Sequence, residues 1–152
     1  MLEKVSDKLC VLYKVIYILI VVNISMKLGD LKIATIEEDA IGIIHVSLKN
    51  LIEITQEDIE EYILGCLKIA NGKEKPVLFD TRKVGTFTPL AMKKLVDPRV
   101  EDVTKASAVL VSSASPITAI AVSFVIKLVR EPFPIRVFTD KKEALKWLKQ
   151  FT

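Results

Sequence analysis

One histidine, two cysteines and five glycines are all that this chain of 152 residues contains of those types. Each scarcity closes a class of function. With His45 as the sole imidazole, no Ser-His-Asp or Cys-His set can be assembled unless a lysine or carboxylate takes the base role. Cys10, His45 and Cys66 have none of the spacings of a zinc site, so neither metal nor cofactor is expected. The cysteines lie too far apart to suggest a framework of disulfides. They fit a reduced, cytoplasmic protein in which each is a small buried apolar residue. The glycines form neither GxGxxG nor GxxxxGK followed by Ser or Thr, so no phosphate-cradling loop is readable. An excess of one charge sign is also missing. Lys and Arg number 22 against 19 Asp and Glu, a net +3 that is too weak and too mixed to argue for nucleic acid.

The apolar run LCVLYKVIYILIVV, Leu9 to Val22, is short of the roughly 18–20 residues that a spanning helix needs. Lys4 and Lys8 precede it, but no clear small-x-small cleavage site follows. Met26 opens an ordinary charged segment. Residues 1–25 therefore read as an extension upstream of a start at Met26, as a membrane anchor, or as a docked helix or strand. A membrane contact is expected only if residues 9–26 are a true anchor. Residues 26–152 read as one domain, with no repeat, linker or low-complexity tract.

Within that domain the strongest stretch is Lys75 to Pro89. Val77-Leu78-Phe79 is a short apolar run of the kind found in a covered parallel strand, and Asp80 ends it. Thr88-Pro89 then opens a helix, with a hydroxyl at the N-cap and proline at the first position. The loop between them lies at a strand's carboxyl end, where open α/β sheets place their sites. Before this stretch, Leu31–Glu37 and Ala40–Leu48 read as a β-hairpin turning at Glu38-Asp39. His45 sits mid-strand there, as a packed or half-exposed residue rather than a base. Thr55 and Asp58 form a capping-box variant for a helix to Ala70, which Asn71-Gly72 stops. Its acids Glu57, Asp58, Glu60 and Glu61 suit a helix N-terminus.

After Pro89 a short helix runs to about Val96, and Asp97-Pro98 breaks it. Val100–Lys105 reads as a helical turn or loop. Ala106–Val111 is a second buried strand. Ser115-Pro116 repeats the hydroxyl-proline device for a helix to Arg130. Two prolines hold residues 131–134 extended. Ile135–Phe138 is the last strand, and Thr139-Asp140 caps a final helix. The order β-β-α-β-α-β-α-β-α implies an α/β domain, mostly parallel, with an antiparallel N-terminal hairpin.

Two segments carry a family resemblance, PVLFDTRKVGTFTP (Pro76 to Pro89) and PFPIRVFTDKKEALKWLKQF (Pro132 to Phe151). Together with the element order they resemble the STAS domain, the fold of bacterial anti-sigma-factor antagonists and of SEC14-related SpoIIAA-like proteins, over about Met26 to Thr152. The resemblance implies a non-enzymatic regulatory module that binds a protein, with a small-ligand or lipid carrier as the alternative. In the antagonists a strand-end Asp leads to an Asp-Ser-Ser triplet whose middle residue is phosphorylated. Asp80 matches the strand-end Asp and Val84 the loop valine. The triplet here reads Thr88-Pro89-Leu90, so proline replaces the phosphorylatable serine and that switch does not carry over.

The candidate site follows from the two buried strands. If they are neighbours, Thr81, Thr86, Thr88, Ser112, Ser113 and Ser115 converge, with Arg82 and Lys83 beside them. Helix N-termini at Pro89 and Pro116 would then face one rim, a possible anion site. The competing reading is that each hydroxyl is a cap or turn residue. The other anomaly is the Ser115–Arg130 segment. Its inward stripe is Ile117, Ile120, Phe124 and Leu128, yet Val122, Ile126 and Val129 fall off that stripe where a surface helix carries polar residues. Either the domain covers both sides, or one side meets a partner, a second copy of the chain or lipid; the expectation is an interface with a protein partner or a second copy. An enzyme is not expected, because no base stands beside a hydroxyl in any readable motif.

Overall fold

The computed structural model describes residues 31–49, 51–95, 97–114 and 133–152. Five strands make the main sheet: β1 (Ala34–Glu38), β2 (Ile44–Leu48), β4 (Lys75–Asp80), β6 (Thr104–Leu110) and β7 (Ile135–Phe138), side by side in that order. β1 is antiparallel to β2, and β2, β4, β6 and β7 are mutually parallel. The α/β class, the hairpin and the parallel sheet are as the sequence implies.

Side-chain alternation divides the core. Val77 and Phe79 of β4 pack on one face with Ile44 and Val46 of β2 and with helix α1 (Gln56–Ala70). Leu78 points to the other face, joining Ala106, Ala108 and Leu110 of β6 and helix α4 (Lys141–Leu148). Both faces of β4 are covered, which is why it reads as a continuous apolar run. Two short helices, α2 (Pro89–Lys94) and α3 (Pro98–Glu101), pack on the α1 side. A 3₁₀ turn, Lys149–Phe151, follows α4.

The caps are where local chemistry demands them. Thr55 and Asp58 complete a capping box: the Asp58 amide donates to the Thr55 hydroxyl, while the Thr55 amide and hydroxyl both donate to the Asp58 carboxylate. Burial opposes ionisation of Asp58, but those bonds and Lys32 hold its carboxyl below the usual range. Asn71 and Gly72 both take left-handed backbone and end α1. Asp140 caps α4 by accepting from the Glu143 amide. Gly65, mid-helix, lets α1 approach β1: a Cβ there would lie 2.8 Å from Ile36 Cδ1. Next to it, burial pushes the Cys66 thiol up to about 12, so this cysteine is an inert core residue.

Several boundaries differ from the expected ones. The hairpin turn spans Asp39–Gly42, not Glu38-Asp39, so β2 starts at Ile44 rather than Ala40. The Asp39 carboxylate accepts from the Ile41 and Ile43 amides, and Gly42 has a φ of +87°, which a side chain would resist. Asp97-Pro98 does not merely break a helix. Asp97 caps α3 through the Arg99 amide, with Pro98 in the first turn. β6 begins two residues early, at Thr104.

Two strands are additions. β3 (Leu51–Ile54) and β5 (Val84–Phe87) form a separate two-stranded parallel sheet. Its register is informative. Val77 lies 33 positions beyond its partner Ile44, and Val84 lies 33 beyond its partner Leu51. The β2–β4 pair thus resumes in the same register after an interruption. The interruption has a cause at Thr81, whose amide turns to the Leu110 carbonyl (2.9 Å) while its own carbonyl accepts from Val84 (3.1 Å). The resumed pair forms an arm beyond the carboxyl edge of the main sheet.

No helix among the described residues is long and apolar enough to cross a membrane. The apolar run of residues 9–22, Cys10, and the 115–130 segment with Ser115, Val122, Ile126 and Val129 lie outside the described residues.

Candidate functional site at the carboxyl edge of the sheet

Because β2, β4, β6 and β7 run in parallel, all four release their chains at one edge. Asp80 stands opposite Ser47 on one side and Leu110 on the other, and Leu110 stands opposite Phe138. That edge therefore gathers Asp80 to Lys83, Ser112 and Ser113, and the Thr139-Asp140 start of α4.

Asp80 organises its centre. Its two carboxylate oxygens accept from Arg82 Nε (2.9 Å) and a terminal guanidinium nitrogen (2.7 Å), and from the Arg82 amide (3.1 Å). Burial alone would raise the Asp80 carboxyl. The Arg82 bonds, helped by the nearby charge of Lys141, leave it below its ordinary value. Asp80 raises the Arg82 guanidinium in return. This planar fork is a fixed zwitterionic feature whose guanidinium is still exposed.

The described hydroxyls do not form one cluster. Thr81 is 4% exposed, and its hydroxyl donates to the Leu110 carbonyl at 3.0 Å. It is a stitch between β4 and β6, not a rim group. The Thr88 hydroxyl accepts from the Ala91 amide at 3.2 Å, and the Thr88 amide donates to Ile54 at 2.9 Å. It is a helix cap, the reading its place before Pro89 favours. Thr86 is exposed on the arm, opposite Glu53, with no β6 neighbour in register. The Ser112 hydroxyl accepts from the Ala114 amide at 3.2 Å as a turn residue, and Ser113 is exposed. Lys83 is exposed beside Arg82. Of the two helix N-termini expected to form an anion site, only the one at Pro89 is described. Thr88 already occupies the Ala91 amide, and Pro116 lies outside the described residues.

The site contains no nucleophile with a base beside it among the described residues. His45 is at the opposite, amino edge. Its Nε2 lies 2.8 Å from the Asp39 carboxylate, which makes it a half-buried structural partner of the hairpin turn. No group of three or more His, Cys, Asp or Glu among the described residues could hold a metal. A cleft of about 770 Å³ also lies at the amino edge, lined by Glu37, Glu38, Asp39, Lys68, Lys73 and Lys75 among others.

Sequence reading missed the arm and the Asp80–Arg82 fork. A signal for the arm existed: in Leu51-Ile52-Glu53-Ile54, β-branched Ile52 and Ile54 alternate with Glu53. It was masked by the short spacing after β2.

This is a SpoIIAA-like α/β fold, a mostly parallel sheet with an antiparallel first hairpin and a polar carboxyl edge. The chain belongs to the family described as Domain of unknown function (DUF7793), whose model matches residues 36–152. Two solved structures share the fold. One is an uncharacterized protein from the DUF3478 family with a SpoIIAA-like fold from Shewanella loihica PV-4, 18% identical, with a TM-score of 0.54 over 76% of this chain and 91% of that one. The other is an anti-sigma factor antagonist from Mycobacterium paratuberculosis, 15% identical, with a TM-score of 0.52 over 76% of this chain and 92% of that one. A search of curated proteins returns no match.

Proposed function

We propose that this chain is a non-enzymatic, cytoplasmic regulatory module that binds a protein through the carboxyl edge of its sheet, without a phosphoserine switch. The contact residues are Arg82, Lys83, Thr86 and Ser113, with Thr88 and Ser112 shaping the loops that carry them. Ser115 belongs to the same proposed set. One observation carries the reading: Pro89 opens α2 where the antagonists' serine would be, and the Thr88 hydroxyl is already committed to the cap. What is left is a permanent polar surface. The fold shared with an anti-sigma factor antagonist supports a protein as the occupant. The alternative, a small-ligand or lipid carrier, asks for an apolar cavity, whereas the amino-edge cleft mixes charged Glu37, Glu38, Asp39, Lys68, Lys73 and Lys75 with Ala40, Ile69 and Ala70.

The test is site-specific photo-crosslinking in cells, with the crosslinker at Lys83, at Thr86, or at Lys73 on the amino edge. The same protein should be trapped from the two edge positions and not from Lys73. A small molecule or lipid that stays bound through native mass spectrometry, with no edge crosslink, would sink the reading. High-occupancy phosphorylation of Thr88 would restore a switch.

A second surface is proposed on sequence grounds alone, the Val122, Ile126 and Val129 side of the Ser115–Arg130 segment, for a partner or a second copy. Val122→Lys with Ile126→Glu should leave a folded chain that elutes as a smaller species or loses its partner. Unfolding would make those residues core and end that proposal.

A further inference from the structure

The outer surface of α4, which starts at the carboxyl edge, concentrates positive charge. From Phe133 to Thr152, the cations Arg136, Lys141, Lys142, Lys146 and Lys149 face the acids Asp140 and Glu143, a side-chain net of +3 that equals the net charge of the whole chain. Lys142, Lys146 and Lys149 recur at spacings of four and three, so they share one face. All three are exposed, while Ala144, Trp147 and Leu148 on the opposite side are buried. None of the three has an ion-pair partner among the described residues.

The helix macrodipole explains Lys146 and Lys149, which lie at the carboxyl end of α4. It does not explain Lys142, which lies in the first turn, where a cation is disfavoured. Arg136 on edge strand β7 adds a different kind of cation. Its guanidinium is held 5.5 Å from the Trp147 ring centroid, and that ring is itself packed by Phe138 and Phe151. Stacking orients the fork and leaves its N–H donors without an acceptor among the described residues. Such a group is pre-organised for a carboxylate.

We infer that this α4–β7 face is a further docking surface, and that its occupant is an acidic segment of a partner protein. Charge complementarity sets the sign. The surroundings choose among anionic partners. Stacking of nucleic-acid bases needs exposed aromatic faces, and Trp147 is 8% exposed. Insertion into a lipid surface needs exposed apolar residues. The exposed large hydrophobics among the described residues are Ile41, Leu64 and Leu90, none of them on α4. What the face offers is carboxylate-sized contacts: three lysines in a row and one oriented arginine.

The experiment uses the full chain and a fluorescein-labelled peptide of alternating Glu and Ser, read by anisotropy across a salt series. Lys142→Glu, Lys146→Glu and Lys149→Glu together should weaken binding roughly tenfold or more and flatten its salt dependence. A control triple, Lys68→Glu, Lys73→Glu and Lys93→Glu, makes the same change in net charge on exposed lysines of the other layer. It should shift affinity by less than about threefold. Arg136→Lys keeps the charge but loses the fork, and should weaken binding by about threefold to tenfold. Circular dichroism shows whether each variant is folded, and since every substituted residue is exposed, all should be. Equal weakening by the two triples overturns the inference, because only net charge would then matter. So does displacement of the peptide by phosphatidylserine vesicles or an oligo-dT strand at lower concentration than unlabelled peptide needs.

Discussion

The two sides of the sheet solve the same burial problem with opposite electrostatics. On the α1 side, several cations are consumed internally. Arg99 reaches both Asp97 and Glu60, Lys94 reaches Glu60, and Lys32 reaches Asp58. On the α4 side, Arg136 leans on an aromatic ring, and Lys142, Lys146 and Lys149 have no acid partner among the described residues. Exposed pairs add little stability, commonly about 0–1 kcal/mol. The lesson of the contrast is therefore about arrangement. Lys68, Lys73 and Lys93 on the α1 side are exposed but scattered among these pairs, whereas Lys142, Lys146 and Lys149 form one row with no acid partner among the described residues, a patch that can steer a partner.

The sharpest way to break the comparison is through the α4 core. Trp147→Ala should destabilise the domain by about 3–5 kcal/mol, because the ring contacts Phe138, Phe151 and Arg136 in a nearly closed setting. Chemical denaturation measures it. A loss below about 1 kcal/mol would mean that α4 is an appendage rather than a layer.

On the α1 side the matching probe is Gly65→Val. A Cβ alone would meet Ile36 Cδ1 at 2.8 Å and Leu31 Cδ1 at 3.0 Å, and Ile36 is fully buried. Overpacking of this kind costs about 1–3 kcal/mol, which outweighs the gain from removing a helical glycine. A variant as stable as the parent would show that α1 can slide away from β1.

Thr88→Ala should cost about 1 kcal/mol through loss of the cap on α2. The same substitution should leave edge crosslinking from Lys83 unchanged, since the hydroxyl faces its own helix.

The smallest effect is in the acid limb. Arg99 and then Lys94 lower the Glu60 carboxyl to about 2, and Arg99 lowers Asp97 to about 2. Both pKa values are depressed on folding. Their contribution is therefore present above the unfolded values, near 4, and is lost as pH falls from about 4.5 to about 2. Urea midpoints across that range should fall more steeply for the parent than for Arg99→Gln. Replacing Lys142, Lys146 and Lys149 by Gln should leave the slope unchanged. A reduced slope in that second variant would mean that the α4 lysines are paired after all.

The SpoIIAA-like architecture was readable because its signals are short-range. A cap needs residues within four positions, as at Thr55–Asp58, Thr88–Ala91 and Asp140–Glu143. A left-handed stop needs one or two residues, as at Asn71-Gly72. Apolar runs such as Val77-Leu78-Phe79 declare a covered strand by themselves. These local choices, with strand and helix alternating, determined the fold class and the polar carboxyl edge.

What only the tertiary structure decided are facts that depend on register between distant segments. Thr81 looks like any loop hydroxyl until Leu110, 29 positions away, supplies the carbonyl that buries it. The same turn lets the β2–β4 ladder resume as an arm, an outcome invisible without the alignment of two strands 33 positions apart. Arg99 and Glu60 lie 39 positions apart, so their pairing depends on how α3 docks against α1. Lys142 reads in sequence like every other surface lysine. That no acid pairs with it among the described residues is a property of the space around α4, and that space exists only once the sheet has assembled.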